Sequence, residues 1–301
     1  MLFTIALGGN ALQQRGEPLE ADLLKKNSLA AAKVIAELAK EHQVLIVHGN
    51  GPQVGLLALQ NTAYKEVKPY PFDILGAESQ GMIGYVLQQN ISNYLSERTV
   101  VTLLTQVIVD KEDPAFQNPS KFIGPVYQEA QLEEIKKQNP HWLIKPDGKY
   151  YRRVVPSPKP QQIYELEAIQ SLLTQNTIVI AGGGGGIPCI QDSSGKLAGV
   201  EAVIDKDMTA SLLAQRLNAD HFIILTDVEA VCEQWGTPEE RKINDISVKE
   251  LESKSFAAGS MQPKITAACQ FTKHSKKTAM IGNLTQLKQI INHQAGTRIT
   301  C

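Results

Sequence analysis

Short apolar runs rich in β-branched residues alternate with longer helical patterns along most of the chain. Such runs predict strands at residues 2–7, 44–48, 99–109, 177–181, 221–226, 278–281 and 297–300. Apolar residues recur with a helical period at 20–41, 52–64, 74–95, 163–174, 206–217, 263–274 and 285–292. Continuous apolar strands are typical of parallel sheets that helices cover on both faces. The alternation therefore predicts an α/β protein with a three-layer α/β/α sandwich.

One segment interrupts this alternation. Eight of the fifteen prolines and six aromatic residues lie between Asp110 and Pro160. The prolines exclude a crossover helix, and the aromatic rings argue against a disordered linker. We predict a small inserted subdomain at about 111–160 that acts as a lid. A structural excursion with no part in ligand binding is the alternative.

The helix predicted at 74–95 carries a wide apolar stripe. Three glycines, Gly76, Gly81 and Gly84, thin this stripe and permit close approach of a second helix. A contact between two copies of the chain and ordinary core packing both explain the pattern.

The composition narrows the classes of ligand. The chain is 43% hydrophobic and 20% charged, with a net charge of −1, so it has no basic field for nucleic acid or an anionic membrane. No run of about 18 apolar residues occurs, and we expect a cytoplasmic protein with small ligands. The four cysteines are far apart and form no C-x-x-C pair, so we expect reduced thiols rather than a zinc site or disulfides.

Three of the predicted strands end at clusters of glycine. These clusters are Gly8-Gly9-Asn10, Gly49-Asn50-Gly51 and the five glycines at 182–186. Ligands of parallel sheets bind beyond the carboxyl ends of strands, where glycines let backbone N–H groups approach an anion. The common lysine-containing phosphate loop and a complete dinucleotide fingerprint are both absent, so cationic groups must come from elsewhere.

Two lysines stand at predicted helix starts. Lys206 follows the helix cap Asp205, and Lys264 follows Pro263, which suits the first helical position. A cation there costs up to about 1 kcal/mol, so a bound anion would explain both placements. Solvated surface lysines are the alternative. Asp207 is a candidate to orient two ammonium groups, to hold Mg²⁺ or to cap the helix.

Other residues at the same predicted edge point to a nucleotide. Thr226-Asp227-Val228 follows a strand where a base or ribose would lie. His48 also ends a strand there, and a structural role is favoured over general-base catalysis. The chain lacks a Ser-His-Asp order and any close Cys and His pair, so phosphoryl transfer fits better than hydrolysis or transition-metal catalysis.

Taken together, these motifs resemble those of the carbamate kinases, within the amino acid kinase superfamily. The matching segments are 6–12, 48–55, 119–121 with 124–127, 152–158, 182–188, 201–207, 225–228 and 259–261 with 263–264. The resemblance runs from residue 2 to residue 297. It implies an open, mostly parallel eight-stranded sheet with a protruding subdomain. It also implies an N-terminal lobe at 1–205 for carbamate or carbamoyl phosphate, a C-terminal lobe at 206–301 for ADP or ATP with Mg²⁺, and a homodimer.

The resemblance also implies roles for individual residues. The catalytic group is Lys121, Lys206, Asp207 and Lys264. The substrate and phosphate group is Gly8, Gly9, Asn10, Gly49, Asn50, Gly51, Gly183 and Gly184. The nucleotide group is Lys206, Thr226, Asp227, Val228, Met261 and Lys264, and no side chain is assigned to a metal. Relatives that phosphorylate amino acids usually carry a lysine in the first glycine turn; this chain has none there, and Lys121 of the insert is the substitute.

Phe122, Val126 and Ala258 depart from the usual pattern, which affects lid packing rather than a charged group. The stretches 65–71 and 235–238 look closer to carbamate kinases of allantoin or ureide breakdown than to those of arginine fermentation. We expect the ATP-forming direction. Two alternatives stay open: a related kinase acting on another carboxylate, and a non-catalytic protein that binds carbamoyl phosphate or nucleotide.

Overall fold

The computed structural model describes residues 1–13, 17–256 and 261–301, and only the backbone of Asn10 and Ala11. The strands are β1 (Leu2–Leu7), β2 (Gln43–His48), β3 (Val100–Thr102), β4 (Gln106–Val109), β5 (Lys121–Tyr127), β6 (Leu143–Asp147), β7 (Tyr150–Val155), β8 (Pro160–Ile163), β9 (Ile178–Ile180), β10 (Ile187–Gln191), β11 (Leu197–Gly199), β12 (His221–Thr226), β13 (Val231–Glu233), β14 (Arg241–Ile243), β15 (Asp245–Ser247), β16 (Ala279–Asn283) and β17 (Thr297–Thr300). The helices are α1 (Gly9–Leu12), α2 (Ala21–Ala39), α3 (Gly51–Ala63), α4 (Phe72–Tyr94), α5 (Leu132–Gln138), α6 (Leu166–Thr174), α7 (Lys206–Arg216), α8 (Val248–Glu252), α9 (Met261–Ser275) and α10 (Leu287–Ile291).

The described residues form a central sheet of eight strands in the order β15-β17-β16-β12-β1-β2-β9-β3. Neighbouring strands run parallel except β16 and β17. Alternate side chains of each strand enter different cores: Ile5 and Ile46 pack with α2 and α4, whereas Ala6 and Leu45 lie in the cluster that includes α7 and α9. Because both faces are buried, the strands read as continuous apolar runs. The predicted three-layer α/β/α sandwich with a mostly parallel eight-stranded sheet is confirmed.

The predicted single strand at 99–109 is wrong. The chain forms β3 in the central sheet, leaves it after Thr102, and forms β4 in a second sheet of order β11-β10-β4-β8. The break is fixed by hydrogen bonds from outside the segment, since the Gln80 amide accepts from the Thr105 N–H at 2.8 Å and donates to its carbonyl at 3.2 Å. The apolar run alone carries no sign of this long-range contact. Likewise, the helix predicted at 163–174 begins only at Leu166, and its first predicted residue, Ile163, is the last residue of β8.

The proline-rich segment folds into a three-stranded antiparallel sheet, β5-β7-β6, with α5 on the connection. Ile123 and Val155 of this inserted sheet join a small buried cluster with Val54 and Phe72 of the body. Gly55 makes the contact possible, because a Cβ atom there would lie 2.1 Å from the Cα of Gly124. The insert therefore packs directly on α3. Its role as a lid and the two lobes stay predictions.

Two further features concern the whole described chain. Cys189, Cys232 and Cys269 are buried, Cys301 is exposed, and all four are free thiols, as expected. Among the helices of the described residues, none is long and apolar enough to cross a membrane.

Candidate active site

The first two glycine clusters meet at the carboxyl ends of β1 and β2. The Gly8 N–H donates to the Leu225 carbonyl at 2.8 Å, and the Gly49 N–H donates to the Leu7 carbonyl at 3.0 Å. A Cβ atom on Gly49 would lie 3.0 Å from the Gly9 nitrogen and 3.4 Å from Cδ of Lys206. The two glycine turns thus touch, and the stem of Lys206 lies beside them. The side chain of Asn10, assigned with this group, lies outside the described residues.

The third glycine cluster is folded against the second. A Cβ atom on Gly183 would lie 2.3 Å from Nε2 of His48, and one on Gly184 would lie 2.1 Å from Nδ2 of Asn50. Gly184 has a φ of +67°, which side chains rarely adopt. Asn50 in turn donates to the Ser79 hydroxyl at 2.8 Å. The three clusters predicted from the sequence therefore lie together at one edge, with Gly51 beginning α3.

Three polar side chains that sequence reasoning missed hold the third cluster in place. Gln80 donates to the Gly183 carbonyl at 3.0 Å, Thr105 accepts from the Gly182 N–H at 2.9 Å, and Thr209 donates to the Gly185 carbonyl at 2.7 Å. All three are buried. Gln80 offered a weak signal, because a glutamine amid a wide apolar stripe needs buried partners.

Asp207 gathers the two lysines predicted from the sequence. Its Oδ1 accepts from Nζ of Lys206, and its Oδ2 lies 3.4 Å from Nζ of Lys264. The side chains are 3%, 10% and 17% exposed for Asp207, Lys206 and Lys264. The alternative of solvated surface lysines is wrong for both. Lys264 is not the second residue of its helix, since the described part of α9 already includes Met261 and Gln262.

Burial and charge act on this cluster in opposite directions. Burial lowers the pKa of Lys206, and nearby Lys264 lowers it further, while the Asp207 carboxylate opposes both. Burial also acts to lower the pKa of Lys264, but the carboxylates of Asp207 and Asp205 outweigh it and raise that pKa. The cluster holds two lysines on one buried carboxylate, so an added anion would be strongly attracted.

Lys121 reaches the start of α7 from the inserted sheet. It is the first residue of β5, and its Nζ lies 2.5 Å from Oδ2 of Asp205. The other carboxylate oxygen of Asp205 caps α7 by accepting from the N–H groups of Asp207 and Met208. Burial acts to raise the pKa of Asp205, but Lys121 and Lys206 hold it well below its usual range. Asp205 was predicted only as a helix cap.

His48 is buried at the centre of the glycine edge. Its Nδ1 lies 3.0 Å from the Gly49 carbonyl, so the tautomer that donates from Nδ1 fits this contact. Burial, with a contribution from Lys206, lowers the pKa of His48 to about 4. The imidazole is therefore neutral near pH 7, which agrees with the favoured structural role.

The residues predicted for the nucleotide lie at the end of β12 and the start of α9. The Thr226 hydroxyl donates to Asp227 at 2.9 Å, and the Asn283 amide donates to the Asp227 carbonyl at 3.1 Å. A Cβ atom on Gly8 would lie 3.6 Å from the Cα of Thr226, which places β12 beside the first glycine turn. Val228 and Met261 are half-buried. The Gly259-Ser260 part of the last motif lies outside the described residues.

A second cation of the inserted sheet contacts the body. The Arg153 guanidinium lies 4.3 Å from the Trp142 ring centre and 4.7 Å from that of Phe72. One of its nitrogens is 3.8 Å from a Glu201 oxygen, and the other oxygen of Glu201 accepts from the Phe72 N–H at 2.8 Å. Burial lowers the pKa of Arg153 to about 10. These groups line a cavity of about 340 Å³ between the insert and the loop before α4.

Comparisons with known proteins agree with the fold. A model of the amino acid kinase family matches residues 1–283. The carbamate kinase of Haemophilus influenzae is 50% identical over 301 residues, which cover 100% of this chain and 97% of that protein. The carbamate kinase of Escherichia coli strain K12 is 50% identical over 298 residues, with 99% of each chain covered.

Solved structures give the same result. The carbamate kinase from Giardia lamblia bound to citric acid superposes with a TM-score of 0.94 at 40% identity, covering 99% of this chain and 98% of that one. The same enzyme bound to AMP-PNP has a TM-score of 0.89 at 41% identity, with the same coverage. The chain therefore belongs to the amino acid kinase family and, within it, to the carbamate kinases.

Proposed function

We propose that the chain transfers a phosphoryl group from carbamoyl phosphate to ADP, reversibly, giving ATP and carbamate. The observation that carries the proposal is the buried Lys206, Asp207 and Lys264 cluster beside the three glycine turns. A terminal phosphate oxygen of ADP attacks phosphorus, and the bond from phosphorus to the carbamate oxygen breaks. Carbamate then decomposes to ammonia and carbon dioxide, which favours ATP formation.

The residues contribute mainly position and charge. Phosphoryl transfer spreads negative charge over the equatorial oxygens, and fixed cations and N–H groups stabilise it. Lys206 and Lys264 would neutralise that charge, and Asp207 would hold both ammonium groups toward it. Backbone N–H groups of the glycine turns would bind the carbamoyl phosphate. Lys121 would add a third cation from the inserted sheet.

The nucleotide would bind next to this cluster, on the side of β12 and α9. Thr226, Asp227, Val228 and Met261 lie at the carboxyl end of β12 and the amino end of α9. Support comes from the Giardia lamblia relative, whose structure is described as bound to AMP-PNP, an ATP analogue. The terminal phosphate of ADP would then point to Lys264 and Lys206.

Mg²⁺ would come with the nucleotide phosphates. Asp207 is engaged by two ammonium groups, so it does not fit a metal ligand, and the described residues hold no group of three His, Cys, Asp or Glu side chains suited to a metal. Hard phosphate oxygens are the ligands that Mg²⁺ prefers. Protein treated with a chelator should regain full activity with MgCl₂ alone, and a strict need for zinc or iron would contradict this.

The homodimer would form on α4 and the edge strand β3. Gly84 packs against β3 of the same chain, because a Cβ atom there would lie 2.3 Å from the Thr102 side chain. A Cβ atom on Gly76 or Gly81 would meet nothing within 4 Å. Beside Gly81, Tyr85 and Leu104 are 58% and 54% exposed. A second copy would cover this face. In sedimentation runs Tyr85→Asp should shift the protein toward monomer, while Tyr64→Asp, at an equally exposed tyrosine after α3, should not.

An ATP-forming assay tests the central proposal. Purified protein with ADP, carbamoyl phosphate and MgCl₂ should make ATP, detected by a coupled luciferase reaction. Phosphorylation of glutamate or acetylglutamate in place of this reaction would favour the related kinases. Binding of ADP and carbamoyl phosphate without turnover would favour a non-catalytic protein. A cytoplasmic location and a part in allantoin or ureide breakdown belong to the same proposal.

A further inference from the structure

Asp205 uses its two carboxylate oxygens for different partners. Oδ1 accepts from the N–H groups of Asp207 and Met208 at 2.9 Å and 3.3 Å and so caps α7. Oδ2 accepts from Nζ of Lys121 at 2.5 Å, across 84 residues of sequence. A cap needs only one oxygen, and serine or asparagine would serve equally well. The second oxygen, and the charge, are therefore available for another task.

The Lys121 ammonium lies close to other positive charge, and the Asp205 carboxylate is the group that favours it there. The amino end of α7 carries the positive end of the helix dipole, and Lys206 is the first residue of that helix. Asp205 reverses this local repulsion. Its side chain is 18% exposed and that of Lys121 is 31% exposed, so the contact is screened only in part.

The backbone around Lys121 is anchored to the same part of the body. Lys121 pairs with Val155 in the inserted sheet. One residue beyond that strand, the Pro156 carbonyl accepts from the Val203 N–H at 2.9 Å, two residues before Asp205. The start of β5 and the start of α7 are thus held together, and the Asp205 carboxylate sets where the flexible Lys121 side chain ends.

We propose that Asp205 is a positioning residue that holds the Lys121 ammonium beside the Lys206 and Lys264 cluster, ready for the transferring phosphoryl group. The inference rests on the proposed function and deepens it. The two aspartates at the start of α7 then have separate roles, since Asp207 orients the two lysines of the body and Asp205, the helix cap, orients the lysine of the insert. Neither aspartate exchanges a proton or a bond with substrate.

A double-mutant cycle tests the proposal. Asp205→Asn and Asp205→Ser keep a helix cap but remove the charge, and Asp205→Ala removes both. For the first two we expect kcat to fall ten- to a hundredfold, with ADP affinity from calorimetry within threefold of wild type. Combining Asp205→Asn with Lys121→Ala should lower kcat by less than twofold relative to Lys121→Ala alone, because both substitutions abolish the same contribution, that of the positioned Lys121 ammonium. Losses that multiply in the double variant, or an Asp205→Asn enzyme with wild-type kcat, would overturn the proposal.

A second measurement does not depend on activity. Acetylation by an amine-reactive ester, followed by mass spectrometry, reports whether the Lys121 ammonium is engaged. We expect Lys121 to react at least threefold faster in Asp205→Asn than in wild type, with no change at the exposed Lys137 of α5. Equal rates at Lys121 would overturn the positioning role. If Lys121 is acetylated faster in Asp205→Asn but the wild-type protein makes no ATP, the proposed function is overturned. The contact by which Asp205 positions Lys121 is then still supported.

Discussion

The candidate site contains two groups of lysine–aspartate ion pairs, which differ in burial and in the parts of the fold that they connect. Asp207, Lys206 and Lys264 all lie on helices of the body. None of their side chains is more than 17% exposed. Lys121 and Asp205 join the inserted sheet to the body and are more exposed. A buried cluster keeps its geometry because parting its charges would leave one uncompensated. A contact that water can reach opens at much lower cost, which would suit the lid role that we predict for the insert.

The largest effect should come from the buried cluster. Lys264→Ala and Lys206→Ala should each lower kcat on the order of 10²–10⁴-fold, roughly 3–5 kcal/mol, because each removes a cation from the buried cluster that we propose for phosphoryl transfer. Steady-state kinetics and circular dichroism on the same samples check this. Lys273→Ala, at the exposed far end of α9, is the matched control. Activity within about threefold of wild type would remove that lysine from the mechanism.

The insert should affect turnover but not nucleotide binding. Lys121→Ala should lower kcat roughly 10²–10³-fold, about 3–4 kcal/mol, since its charge would act on the group being transferred. Calorimetric titration with ADP should give an affinity close to wild type, and Lys137→Ala should change neither quantity. Equal losses in ADP affinity and kcat would place Lys121 on the nucleotide. No loss in either would leave the insert as a structural excursion.

The buried edge should also respond to acid. Because the pKa of His48 is about 4 in the folded protein and 6.5 ordinarily, the unfolded state binds more protons below pH 6.5. Stability should therefore fall as pH drops from about 6.5 toward 4, by roughly 2–3 kcal/mol from this group. Urea unfolding of wild type and His48→Asn between pH 7 and 4.5 measures the difference. Parallel stability curves for the two proteins would contradict a neutral, buried His48.

The smallest effect should come from the other contact of the insert. Arg153→Lys keeps a positive charge but loses the planar group between Trp142 and Phe72, which is worth about 1 kcal/mol. We expect kcat/KM for carbamoyl phosphate to fall roughly fivefold, with ADP affinity unchanged. Arg152→Lys, at the preceding residue of β7, is the control. A larger loss in ADP affinity than in kcat/KM for carbamoyl phosphate would show that Arg153 acts on the nucleotide site of the body rather than through the insert.

Local patterns in the sequence predicted much of the site. Glycines after apolar runs, an aspartate before Lys206 and a proline before Lys264 are signals within a few residues of one another. They placed the glycine turns at the ends of β1, β2 and β9, Lys206 in the first turn of α7 and Lys264 in the first described turn of α9. The break after Thr102 was not predictable, because its cause is the Gln80 side chain of a distant helix.

What the sequence by itself determined is the set of elements and the chemistry at their ends, since strand and helix periodicity, caps and turns depend on neighbouring residues. Only the tertiary structure decided which charged groups meet. Asp205 and Asp207 look alike in sequence, yet one pairs with Lys121 of the inserted sheet and the other with Lys206 and Lys264. That division depends on how β5, α7 and α9 pack together. The burial of apolar surface from distant parts of the chain determines this packing, so no local pattern in the sequence predicts it.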